Sequence, residues 1–310
     1  MADDLNLLAI PLESVVVDTP TQFPLYVKIG SAWVLFRPEG DVITKERMNS
    51  LRAKEVSLIY VPEESWNSYV AGLEHTVGSP TSDDNDANTL TQIRSLLLAY
   101  SQEVERHKQF EKNHFQKFVK LADRLATAIY KNSEMGKRML RRYGDPSMYF
   151  VNHSLNVAAY SAELAKRLGV PLSAAKKLTC GALVHNTGYL FLPKSVLYKP
   201  SALTKEEWNL IYSHPEKGAE LLGRMDAPTE VVIVALQHHE RVDGKGYPAK
   251  KGSKDIHLFA RICSIADVFD ALTNNAPYQA AHTSKEAIVK MIGMKGKFDG
   301  DILHTMAEVG

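Results

Sequence analysis

The sequence predicts an α+β protein, in which a small α/β N-terminal domain is joined to an all-α helical bundle. Three observations carry this. Short β-type runs mixed with helical patches are confined to residues 5 to 75, a polar break follows at 78 to 88, and helical periodicity dominates from there to the end. At 310 residues with 45% hydrophobic content, the chain can bury more than one core.

In the first domain, residues 1 to 77, Leu25 to Ile29 and Ala32 to Arg37 flank Gly30-Ser31, a spacing that suits a two-residue hairpin. Thr44 to Ala53 reads as a helix, Val56 to Val61 as a strand and Pro62 to Leu73 as a second helix. Residues 78 to 88, GSPTSDDNDAN, are polar and rich in turn formers, so they read as a linker. Residues 89 to 143 read as a long helical connector. Thr89 to Tyr130 lacks proline and glycine and repeats apolar residues from Leu96 to Ile129, with a thinning of the stripe near His107 to Asn113 that predicts an interruption. From Gly144 to Gly310 helices are punctuated at Gly169 to Pro171, Pro193, Pro200, Asp226 to Pro228 and Asp243 to Pro248. Trp33, Trp66 and Trp208 read as packing residues.

Lys plus Arg number 37 and Asp plus Glu 36, a balance that argues against a general binder of duplex nucleic acid or membrane surfaces while leaving room for a small anion. Cys180 and Cys263 lie among small and apolar residues and read as buried free thiols. The N-terminus has no basic region before its apolar run, and no uncharged apolar stretch reaches the roughly 18 residues that suggest a membrane span. These features predict a cytoplasmic protein.

The last domain offers His153, His185-Asn186, His214, His238-His239 and Asp267, each in or at the end of an apolar helical pattern. One such histidine is ordinarily a core or capping residue. Together, these imidazoles and carboxylate would be a costly core, because every buried polar group needs a partner. A shared divalent metal site removes the cost. The ligand types suit zinc, iron, manganese or nickel, and six ligands exceed what one tetrahedral ion uses. Two ions about 3.5 to 4 Å apart activate water and polarise a phosphoryl oxygen, which points to phosphoester hydrolysis. The string HHERVDGKGYP at His238 to Pro248 adds a glycine-rich loop whose backbone amides and Lys245 can meet an anion.

That string resembles the signature of the HD-GYP family of cyclic-di-GMP phosphodiesterases. The flanking strings NHSLNVAAYSAELAKRLG, ALVHNTGYLFLPKSVLYKPSALTKEEW, HPEKGAELL, ARICSIADVFDALT and KFDGDIL follow the same order over residues 144 to 308. The resemblance implies an HD-type bundle with two divalent ions, iron foremost. It gives His153, His185 and Asp267 to one ion and His214, His238 and His239 to the other, with Asn186 standing where the family has an aspartate that bridges both. It also implies catalytic roles for Asn186, Asp243 and Lys245, and substrate contacts from Arg241, Lys245, Gly246 and Tyr247. Asp270 and Thr273 read as braces for the helix of Asp267.

Several positions depart from the family pattern. Asn186 removes a bridging charge, Tyr189 replaces a lysine, Tyr149 replaces a glutamate that supplies a third ion in some members, and Ala276 and Gln279 replace phosphate-anchoring cations. The expected function is therefore cyclic-di-GMP hydrolysis, slowed by these losses. A degenerate module that binds metal and a cyclic dinucleotide or a protein partner as a receptor is the alternative, and a phosphohydrolase for another nucleotide ranks third. Residues 1 to 77 would serve as a regulatory module or partner surface, although they lack the acidic cluster of a receiver domain. The helix from Thr89 to Tyr130 offers a surface for homodimer pairing.

Overall fold

The computed structural model describes residues 6–78, 86–107, 109–132, 149–199, 201–274 and 281–309. The chain forms two compact units, one running from the N-terminus to Gln102 and the other beginning at Glu103.

The first unit holds strands β1 (Leu7–Pro11), β2 (Leu25–Ile29), β3 (Ala32–Arg37) and β4 (Leu58–Pro62). They form an antiparallel sheet in the order β1-β4-β2-β3. The expected hairpin joins β2 to β3, and Gly30 takes the left-handed φ of +61° that a tight turn demands. Ile10, Leu25, Ile59 and Val61 are fully buried. Helix α1 (Lys45–Ala53) starts where the Thr44 hydroxyl accepts from the Arg47 amide, and α2 (Trp66–Gly78) follows β4. Trp66 packs as expected, at 5% exposure.

Helix α3 (Asp86–His107) belongs to this unit as far as Gln102. Arg94 pairs with Glu13 at 3.0 Å, the Tyr100 hydroxyl donates to Glu74 at 2.7 Å, and Gln102 donates to the Ala9 carbonyl at 2.8 Å. Residues 79–85 of the expected linker lie outside the described residues; at its edges α2 extends to Gly78 and α3 begins at Asp86. The periodic stretch from Thr89 to Tyr130 comes as two helices. The second, α4 (Lys112–Lys131), starts at a capping box between Glu111 and His114, where the apolar stripe thins.

The second unit is helical throughout its described residues: α5 (Tyr149–Arg167), α6 (Leu172–Val184), a 3-10 turn (Thr187–Phe191), α7 (Lys194–Leu197), α8 (Lys205–Tyr212), α9 (His214–Arg224), α10 (Thr229–Gln237), α11 (Leu258–Thr273), α12 (Ser284–Gly293) and α13 (Gly300–Val309). Pro171, Pro193 and Pro228 stand at the N-caps of α6, α7 and α10, and Thr204 and Thr283 close capping boxes with Glu207 and Glu286. Helices α4, α5, α6, α10 and α11 pack on one another around apolar side chains such as Leu125, Leu155, Leu178, Val234 and Phe269. Cys180 and Cys263 are free and buried, and burial pushes the Cys180 thiol up to about 12. No described helix is long and apolar enough to cross a membrane.

Candidate metal centre

The helical bundle gathers the six ligand candidates into two groups. His153, His185 and Asp267 form one, and His214, His238 and His239 the other; within each, the ligand atoms lie within 4.8 Å of one another. His153 Nε2 is 3.2 Å from an Asp267 oxygen, and His214 Nε2 is 3.2 Å from His238 Nε2. The groups adjoin through the His185 and His238 rings, whose centroids are 4.9 Å apart.

Local structure aims the rings. His185, His214 and His238 each direct Nδ1 to the backbone carbonyl three residues earlier, Ala182, Ile211 and Ala235, at 2.7, 2.6 and 2.8 Å. An Nδ1–H committed to a carbonyl leaves Nε2 unprotonated and available to a cation. His153 obtains the same arrangement from a side chain: its Nδ1 meets Asp270 at 2.7 Å, and Asp270 also accepts from Asn156 at 2.8 Å and Asn274 at 2.6 Å. The expected bracing by Asp270 thus acts on His153 directly. Thr273 donates to the Phe269 carbonyl in the same helix.

These residues fit a metal. His185 Nε2 and Asn186 Oδ1 are buried polar atoms without a hydrogen-bond partner, a costly state that a cation relieves. Charge follows the same logic. Burial works to lower the His153 pKa, but the Asp267 and Asp270 carboxylates override it and push it up to about 10. Burial, aided by the neighbouring imidazoles, holds His214 down at about 3 and His238 well below its usual range; burial and His185 hold His239 at about 4. The Asp267 carboxyl stays well below the ordinary carboxylate range, because His153 at 3.2 Å and His185 at 3.7 Å outweigh its burial. The second group therefore presents neutral imidazoles, the protonation state that metal ligands need, whereas His153 in the first group carries a proton held by its two carboxylates that a bound cation would displace.

Two close approaches fix this geometry. A Cβ on Gly188 would lie 1.9 Å from the His214 carbonyl oxygen, so only glycine lets the turn after His185-Asn186 lie against the start of α9. A Cβ on Gly246 would meet the Arg241 amide at 2.5 Å and the His239 carbonyl at 2.6 Å, so the loop folds back on the end of its own histidine pair. Buried Glu240 holds that loop by accepting from the Ala249 and Lys251 amides at 2.7 and 2.9 Å.

The remaining sequence-predicted residues divide. Tyr247 stacks on His239 at 4.7 Å. Lys245 is exposed. Arg241 and Asp243 grip each other through two hydrogen bonds of 3.0 and 2.7 Å, and Asp243 also accepts from the Lys245 amide, so these two charges shape the loop. Tyr189 lies 4.4 Å from the His214 ring, and Tyr149 stacks on His153 at 5.8 Å. Ala276 to Gln279 lie outside the described residues. Sequence reasoning missed Lys297. Half-buried, its ammonium is pulled below its usual pKa by burial and Arg241 against the attraction of Asp267, which marks a cation near the centre; its signal was membership of the KFDGDIL string.

A helical bundle carrying two adjoining histidine-rich ligand groups defines a metal-site helical domain. A family model described as "HD domain" matches residues 100–302, and the chain belongs to that family. Among curated proteins it is 35% identical over 161 residues to the cyclic di-GMP phosphodiesterase PA4108 of Pseudomonas aeruginosa, covering 52% of this chain and 39% of that protein. It is 34% identical over 191 residues to the cyclic di-GMP phosphodiesterase response regulator RpfG of Xanthomonas campestris pv. campestris, covering 59% and 50%. It is 33% identical over 159 residues to the 3'3'-cGAMP-specific phosphodiesterase 2 of Vibrio cholerae, covering 50% and 30%. The chain thus matches half or less of the length of these relatives. Among solved structures, Bd1817, a HDG"Y"P protein from Bdellovibrio bacteriovorus, shares the fold with a TM-score of 0.74 at 22% identity, over 98% of this chain and 99% of that one.

Proposed function

We propose that this protein is a metal-dependent phosphodiesterase of the HD-GYP type that opens cyclic-di-GMP, with turnover limited by Asn186. The observation that carries the reading is the pair of adjoining ligand groups with their Nδ1 atoms already committed. His153, His185 and Asp267 would hold one divalent ion and His214, His238 and His239 a second; iron, manganese, zinc and nickel all suit these donors. Such a pair supplies Lewis-acid polarisation of a phosphoryl oxygen and a water acidic enough to attack phosphorus. Lys297, whose ammonium feels the Asp267 charge, would add positive charge to the site. In the loop around Gly246 the Gly244, Lys245 and Tyr247 amides are committed to Arg241, Asp243 and His239, so the charge this loop would offer an anion is the exposed Lys245 side chain. Asn186 brings a neutral oxygen where a carboxylate would bridge both ions, so the site holds one negative charge fewer to retain the metals.

The buried, unpartnered Asn186 Oδ1 also supports a second reading, a receptor that binds a cyclic dinucleotide without cleaving it. Counting metals and following cyclic-di-GMP turnover with manganese or iron, for the wild type and Asn186→Asp, separates the two. Turnover by the wild type supports the enzyme. Binding without turnover by either form supports the receptor.

A further inference from the structure

A run of aromatic rings leads outward from the second ligand group. Tyr247 stacks on His239 at 4.7 Å, Tyr212 meets Tyr247 at 4.7 Å, and Trp208 lies parallel to Tyr212 at 5.6 Å with 28° between the planes. Burial falls along it: His239 and Tyr247 are half-buried, whereas Tyr212 and Trp208 are 44% and 45% exposed. Trp208 was expected to be a packing residue; it stands one turn before Tyr212 on α8, and both side chains are exposed.

We infer that Tyr212 and Trp208 form a stacking site for a purine base of the cyclic dinucleotide whose phosphate meets the metal centre. The inference rests on the phosphodiesterase reading for the identity of the ligand. Large exposed rings in ordered register with a buried polar centre suit a ligand that is anionic at one end and flat and apolar at the other. A nucleotide has that form, with a charged phosphate at one end and a flat base at the other. Purines offer more face than pyrimidines, and stacking on aromatic side chains needs no hydrogen-bond register. The plain alternative is an (i, i+4) ring pair that only steadies a short helix.

The test uses the full-length, metal-loaded protein and titration calorimetry with cyclic-di-GMP and cyclic-di-UMP, beside Trp208→Ala, Tyr212→Ala and Trp208→Phe. Stacking predicts that Trp208→Ala weakens cyclic-di-GMP binding by about 5- to 100-fold with metal content unchanged. Trp208→Phe restores most of the affinity but loses the ligand-induced quenching carried by the Trp208 indole, read as the difference between the wild type and this variant, which keeps Trp33 and Trp66. Tyr212→Ala weakens binding in the same direction. Unaltered affinity in Trp208→Ala overturns the stacking site and leaves the phosphodiesterase reading standing. Equal affinity for cyclic-di-UMP overturns the purine assignment. A metal-loaded wild type that binds no cyclic dinucleotide overturns both, and turnover of bis(p-nitrophenyl) phosphate then shows whether the metal centre still works on other diesters.

Discussion

Replacing Asp270 by asparagine tests the idea that the first ligand group is organised from behind. The Asp270 carboxylate is fully buried, and one oxygen takes His153 Nδ1 at 2.7 Å while the other takes Asn156 and Asn274 at 2.8 and 2.6 Å. An amide cannot reproduce both sides. With its NH2 toward His153, it drives the imidazole to the tautomer that protonates Nε2, which blocks the ligand atom. With its NH2 toward the two asparagines, it sets donors against donors and leaves buried groups unpaired, at about 1 to 3 kcal/mol each. In both orientations one of the two charges that raise the His153 pKa is lost, and Asp267 alone remains. Removing such a support typically costs 10- to 100-fold in metal affinity, so chelator competition should show a loss of about that size for one ion. The other ion should be held nearly as in the wild type, and a His214→Ala variant should show the reverse preference. Thermal melting of the metal-free Asp270→Asn protein should report a loss of about 2 to 4 kcal/mol. Wild-type affinity for both ions in a folded variant would refute the reasoning, as would equal loss at both groups.

Three further outcomes follow from the same geometry. Asn186→Asp should tighten metal retention and raise turnover of a cyclic dinucleotide or of bis(p-nitrophenyl) phosphate by at least tenfold; a kinetic comparison at saturating manganese checks this, and no gain refutes the bridging role. Gly188→Ala should cost about 3 kcal/mol or more and reduce metal content, because the new methyl overlaps the His214 carbonyl rather than a side chain that can swing away; denaturant melts and metal analysis read both effects. In metal-free protein, His214 and His239 are held near 3 and 4, whereas the unfolded imidazoles take up protons near pH 6.5. Their stability contribution is complete above about pH 6.5 and is lost as pH falls toward about 4, by about 1.4 kcal/mol per pH unit for each extra proton bound by the unfolded chain. A melting temperature of the metal-free protein that does not fall between pH 6.5 and 4.5 would contradict it.

The fold class was legible because its two signals are local. Alternation and a Gly30-Ser31 turn mark the hairpin, and the apolar stripe from Leu96 to Ile129 marks the helices, including the weak point near Glu111 where α3 gives way to α4. The two groups of candidate ligands were legible for another reason: a histidine or aspartate in an apolar helical stripe needs a partner wherever it is buried, and six of them in one bundle leave few solutions. What the chain did not disclose depends on contacts distant in sequence. Nothing around Gly188 announces that its missing Cβ faces the His214 carbonyl, and nothing around Lys297 announces Asp267. The pairing of Arg241 with Asp243 was equally hidden, because Arg241 read as a substrate contact and Asp243 as a catalytic residue. Trp208 misled because an aromatic on an amphipathic helix ordinarily faces inward, and which side of α8 is covered is settled only by its neighbours.

The three carbonyls that receive His185, His214 and His238 lie within the same short stretches of chain as the histidines themselves. Ring aim is thus inherited from the nearest backbone, and a side chain that takes no part in those bonds, such as Asn186, can change without disturbing it. A lineage can carry asparagine in place of aspartate at position 186 and still fold and still present its imidazoles. Reactivity and architecture become separable traits, so a domain of this construction can drift from destroying a signal to reading it.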